Sequence, residues 1–254
     1  MMRRVSVFAL LALLTAAAAG AQAPAGAPPQ GGPQAAPPPP TNLQVLPKDT
    51  SAAQVVATMR GIAAGLGVEC NYCHVREGAG GRNDMAADDK PTKKAAREML
   101  KMVMDINTKV PAAVGKTAQT ATRVECVTCH RGVPIPKQLV DIVTTTAAAN
   151  GTPAAIAQYR DLRKQFYGAQ AYDFSEGGLL AIATRAGMAK PEDGLAWLDV
   201  SAELNPKSAR TYLAMAQINN RKGDKATAIK NAEKALELEP DNAMAKQMLE
   251  MLKK

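Results

Sequence analysis

Cys70-Asn71-Tyr72-Cys73-His74 and Cys126-Val127-Thr128-Cys129-His130 are two copies of one pattern, Cys-x-x-Cys-His. Between them they hold every cysteine and every histidine of the 254-residue chain. The pattern is that of covalent haem attachment. Two thiols one helical turn apart can each add to a vinyl group of one porphyrin, and the histidine that follows supplies an axial imidazole to the iron. Two motifs therefore predict two covalent haem c groups, bound by Cys70, Cys73 and His74 and by Cys126, Cys129 and His130. A four-thiolate zinc site is the first alternative. It is disfavoured by the 52 residues between Cys73 and Cys126, and it gives no reason for a histidine after each pair. A thioredoxin-like redox pair would need a βαβ pattern nearby, which the sequence lacks.

Each iron needs a sixth ligand, and no third histidine exists to supply it. Methionine is the ordinary substitute and raises the reduction potential. Met59 stands 11 residues before Cys70 and is the candidate for the first haem. Met99, Met102 and Met104 compete for the second. Met99 and Met102 share a helical face, and Met104 points elsewhere.

The elements that must position these groups are helices. Residues 50–66 place Val55, Met59, Ile62 and Leu66 on one face, with Gly65 and Gly67 as stop signals. A second helix is predicted from Asp88-Asp89 to about Lys109, ended by Pro111. Helix, turn and haem motif thus occur twice, in a di-haem domain over residues 42–136.

This stretch resembles the cytochrome c subunit family of photosynthetic reaction centres. The resemblance rests on Asn42-Leu43-Gln44-Val45-Leu46, on Met59-Arg60 with Leu66-Gly67-Val68-Glu69-Cys70, on Met102-Val103-Met104-Asp105-Ile106-Asn107, and on Val127-Thr128-Cys129-His130-Arg131-Gly132. It implies electron transport by haem in a helical fold. It also implies helix methionines as sixth ligands, matched here by Met59 and, among the three competitors, Met102. The family's members typically carry four haems, whereas this chain has motifs for two and adds a C-terminal domain.

The flanks complete the picture. Residues 1–21 read as a secretory signal: Arg3 and Arg4, an apolar run from Val5 to Leu14, and Ala19-Gly20-Ala21 as a cleavage site. Export to the periplasm agrees with haem attachment, which takes place outside the cytoplasm. Residues 22–41 form a Pro/Ala/Gly-rich linker. Residues 137–172 connect to a C-terminal region, 173–254, in which Leu204-Asn205-Pro206 and Leu238-Glu239-Pro240 recur at 34 residues, the tetratricopeptide period. Thr152-Pro153 is predicted to open a connector helix as N-cap and first residue, reaching about Phe166. Tyr159, Tyr167 and Tyr172 are read as cement of the domain junction.

The expected fold is mostly α, a haem-bound helical domain followed by short tetratricopeptide repeats with a capping helix. The formal charge of +8, about six once Arg3 and Arg4 are removed, reads as a docking field for acidic redox partners. Aromatics make up 4% of the chain and interleave with no basic run, so no nucleic-acid partner is expected. Peripheral membrane association and a protein partner on the repeats are further expectations. An electron carrier, not an enzyme, is the leading reading. A di-haem peroxidase would need distal polar groups and an openable iron, and an envelope adaptor would make its haems redox sensors.

Overall fold

Ser51 closes a reciprocal capping box with Gln54 and starts α1, Ala52–Leu66. Gly67, at φ +66°, ends it in the left-handed conformation that glycine adopts without penalty. Gly65, expected to share that stop, lies inside the helix and serves a different purpose described below. These coordinates are a computed structural model that describes residues 39–76 and 83–254. The signal-sequence reading, and all but the last three residues of the predicted linker, lie outside the described residues.

After α1 the chain makes a 3₁₀ turn, Cys70–Tyr72. A two-residue antiparallel pair follows, β1 (Val75–Arg76) with β2 (Asn83–Asp84), in register Val75 with Asp84. The second helix, α2, is Pro91–Ala113 and starts later than Asp88-Asp89 would suggest. Asp88 is engaged elsewhere: its Oδ1 lies 2.9 Å from Arg97 Nη2 and 3.2 Å from Lys93 Nζ. The Arg97 guanidinium holds this carboxyl well below the usual carboxylate range. Gln44 Nε2 donates to Asp88 Oδ2 and Asn42 Nδ2 to the Ala86 carbonyl, tying the entering chain to the start of α2. Nor does α2 stop before Pro111. Proline removes one donor, yet Val114 N–H still reaches the Val110 carbonyl at 3.1 Å, and the helix gains part of a turn.

The second haem motif is itself a short helix, α3, Cys126–His130. Seven helices follow: α4 (Leu139–Asn150), α5 (Thr152–Phe166), α6 (Glu176–Ala189), α7 (Pro191–Leu204), α8 (Ala209–Lys222), α9 (Lys225–Leu238) and α10 (Ala243–Lys253). Gly151 is the N-cap of α5, so Thr152 and Pro153 fall one place deeper than expected. The fold is mostly α, and residues 39–254 form one unit. Among the described residues no helix is long and apolar enough to cross a membrane.

Packing divides unevenly along this unit. Both clusters of buried apolar side chains lie beyond residue 138. The first joins Leu139, Val143 and Tyr159 to Leu179, Trp197 and Leu198, so the stretch read as a connector shares a core with α6–α8. The second is built on Ala209, Ala228, Ala232 and Ala235, whose small side chains let α8, α9 and α10 approach closely. Gly187 and Gly194 do the same for α6 and α7: a Cβ on Gly194 would stand 2.6 Å from Gly187 Cα. Successive helices pair as α6 with α7 and α8 with α9, and α7 and α9 start 34 residues apart, as do α8 and α10. Buried Ser201 and Thr211 exchange a 2.8 Å hydrogen bond between α7 and α8. Tyr159 makes edge contacts to Trp197 and Phe174, both at 5.6 Å, and Tyr172 packs on Phe174 at 6.0 Å. Tyr167 is exposed, with Arg163 over its ring.

Candidate functional site

The two motifs reach one arrangement by different local means. In the first, the β1–β2 pair turns the chain back so that the Met85 carbonyl lies 2.8 Å from His74 Nδ1. In the second, Arg131 at φ +50° and Gly132 at φ +84° wrap the chain round so that the Val133 carbonyl lies 3.0 Å from His130 Nδ1. A carbonyl oxygen only accepts, so in both rings Nδ1 carries a proton, and in the neutral imidazole Nε2 is the nitrogen that keeps its lone pair. That is the tautomer and orientation an axial histidine needs. Burial holds the His74 imidazole below its ordinary value, with Lys93, Arg97 and Lys90 acting the same way, which favours the neutral, ligating form. The four cysteines form no disulfide with one another. Burial pushes the Cys73 and Cys126 thiols up.

Lys93 shapes the first site from behind. Its ammonium, almost wholly buried, donates to the carbonyls of Met85, Ala86 and Ala87 at 2.8–3.0 Å, fixing the loop that presents Met85. Thr92 Oγ1 donates to the Tyr72 carbonyl at 2.5 Å and Lys90 Nζ to that of Asn71, so the start of α2 lies on the first motif. Farther along α2, Asn107 forms a closed pair with Val124: Nδ2 donates to its carbonyl and Oδ1 accepts from its N–H, both at 2.8 Å. One helix therefore ties both motif regions together. The end of α1 crosses α3 closely. A Cβ on Gly65 would stand 2.9 Å from Val127 N, and Gly132 N–H donates to the Gly65 carbonyl at 2.9 Å.

Sequence reasoning missed Lys93, Gly65 and the two carbonyls. A backbone acceptor leaves no trace in residue type, and Lys93 looks like any helix-surface lysine. Met59 lies half-buried on α1. Met99, Met102 and Met104 are 47%, 48% and 47% exposed, so exposure does not choose among them.

The donor set and packing fit a haem. Among the described residues no three of His, Cys, Asp and Glu gather as a metal-ion site, so the two thiol pairs do not converge on zinc. Among the described residues between 39 and 136 the buried apolar side chains are Leu66, Val75 and Val133, and Val56, Met99, Met102 and Val127 are about half exposed. Helices so poor in core need an apolar body to pack against, and a porphyrin is one.

The family described as photosynthetic reaction centre cytochrome C subunit matches residues 11–251. The chain belongs to that family. The match runs well past residue 136, taking in the C-terminal helices. Membership implies covalently bound haem c, and the family's reaction centre cytochrome c subunits are electron carriers, not enzymes. The chain is 38% identical over 98 residues to the photosynthetic reaction center cytochrome c subunit of Thermochromatium tepidum, covering 38% of this chain and 21% of that protein. It is also 38% identical over 94 residues to cytochrome c-554 of Chloroflexus aurantiacus, 37% and 20% of the two chains. To the reaction center cytochrome c subunit of Rubrivivax gelatinosus it is 40% identical over 70 residues, 28% and 16%. The chain thus spans about a fifth of the length of these relatives.

Proposed function

We propose that this protein is an exported electron carrier with two covalent haem c groups, passing electrons between redox proteins. The observation that carries the reading is the pair of motif histidines, each with Nδ1 turned to a backbone carbonyl. Cys70 and Cys73 would hold one porphyrin and Cys126 and Cys129 the other, with His74 and His130 as axial ligands. When bound, each haem supplies a one-electron Fe(III)/Fe(II) couple. The chain's part is to orient the imidazoles, fix their tautomer and exclude water. Both histidines serve as axial ligands in this reading, so no distal histidine is left to cleave a peroxide. Pyridine haemochrome analysis of the mature protein should give two haems that survive denaturation. One haem, none, or bound zinc would overturn the reading.

Met59 and Met102 complete the ligand sets. Met102 is favoured for the second haem by the likeness of Met102-Val103-Met104-Asp105-Ile106-Asn107 to the family's methionine-bearing helix. With thioether ligation the oxidised protein should show the weak near-infrared sulfur-to-iron band. Replacing either residue by alanine should remove part of that band and lower one potential, since methionine ligation raises potentials. If Met99→Ala does this and Met102→Ala does not, Met99 is the ligand.

The 34-residue offsets of α7 with α9 and of α8 with α10 support reading residues 173–254 as two tetratricopeptide repeats with α10 as cap. Their place in function is to hold a protein partner, while residues 42–136 carry the haems. The positive charge favours acidic redox partners. Periplasmic location with peripheral membrane association, and a role beside a photosynthetic reaction centre, are the setting that the family and the signal-like start support.

A further inference from the structure

A cleft of about 760 Å³ opens beside the second motif. Thr128, Cys129 and Arg131 form one side, and Gln170, Tyr172 and Gly178 form part of the other. Neither Cys126 nor His130 lines it, so the cleft reaches the Cys129 edge of the motif and not the face on which the imidazole stands. The far wall belongs to the C-terminal half: residues 170–173 and α6.

Backbone geometry singles out the same place. Among the described residues two non-glycine residues have positive φ, Arg131 at +50° and Gln170 at +59°. They are joined to each other, Arg131 Nη1 donating to the Gln170 carbonyl at 3.4 Å. Left-handed backbone is costly for residues with a Cβ and persists where surroundings enforce it. Here it persists on both sides of one contact between the motif and the C-terminal half. The loop is also packed firmly on its own side. Tyr172 stands edge-on to Phe166 at 5.3 Å and packs on Phe174, and a Cβ on Gly178 would stand 2.7 Å from the Asp173 carbonyl. The first motif takes its contacts from α2 and the β1–β2 pair instead.

We infer that residues 170–173 and α6 wall off the Cys129 edge of the second haem, with Arg131 as the positioning residue that latches them there. The C-terminal half thereby sets the potential of one haem and leaves the other alone. The inference rests on the two-haem reading above. A ferric haem carries one more positive charge than a ferrous one, so a wall that excludes water favours the ferrous state and raises the potential. The Arg131 charge acts in the same direction, and the test has to separate the two.

Redox titration of the full-length holoprotein, followed by visible absorbance, provides that separation. Tyr172→Ala leaves every charge in place and opens the wall. It should weaken reduction of one haem by about tenfold, a fall of about 59 mV for one electron, with the other haem unchanged. Arg131→Ala should lower the same potential at least as much, and Arg131→Lys, which keeps the charge without the guanidinium fork, should restore only part. Full restoration by lysine together with a silent Tyr172→Ala would show that charge alone acts, and the wall would be overturned. Equal shifts of both haems would overturn it too. Should Arg131→Ala fail to mature, Tyr172→Ala carries the test, because it lies outside the motif. Haemochrome counting separates the two readings: fewer than two haems in the parent protein overturns the two-haem reading, whereas two haems with unmoved potentials overturns only the wall.

Discussion

Protein made without haem attachment should lose α1 and α2 while α4–α10 stay folded. Hydrogen exchange resolves this directly: amides of residues 52–66 and 91–113 should exchange at nearly unprotected rates, and those of the C-terminal helices should remain slow. Among the described residues of the first half the buried apolar side chains are Leu66, Val75 and Val133, each worth about 1.5–3 kcal/mol on burial. The C-terminal helices bury two apolar clusters of their own, whereas α1 and α2 rely on a porphyrin to pack against. Equal protection in both halves would mean that the first half has a core of its own.

The second large effect is expected at Trp197. Its side chain is 1% exposed and makes an edge contact with Tyr159, joining α5 to α7 at the centre of the first cluster. Trp197→Ala should destabilise the C-terminal half by about 3–5 kcal/mol, the usual cost of truncating a buried aromatic to alanine. Urea unfolding followed by far-ultraviolet circular dichroism would measure it. A cost below about 1 kcal/mol would remove the aromatic knot as the centre of this core. The haem absorbance then reports how much of the loss reaches the second motif.

The haem chemistry was legible because Cys-x-x-Cys-His constrains residue type directly, and cysteine and histidine occur nowhere else in the chain. The helices were legible from apolar spacing, and the 34-residue offset from Pro206 and Pro240 reappears in the starts of α7 and α9. Boundaries failed where a polar residue had a distant partner. Asp88 looked like a helix start but answers Arg97 and Lys93 across the turn, and Gly65 looked like a stop but makes room for Val127. Pro111 stopped nothing, because one missing donor near a helix end costs a single bond. The contact between Arg131 and Gln170 was invisible, since nothing in either residue type foretells a left-handed backbone.

The carbonyls that hold His74 and His130 have a consequence for what travels with the electron. A peptide carbonyl cannot take up or release a proton near neutral pH, and it keeps the Nδ1 proton of each ring in place. On the two-haem reading proposed above, neither imidazole has a hydrogen-bonded neighbour at Nδ1 through which to trade a proton when the charge on its iron changes, so an electron arriving at either site leaves the proximal proton where it is.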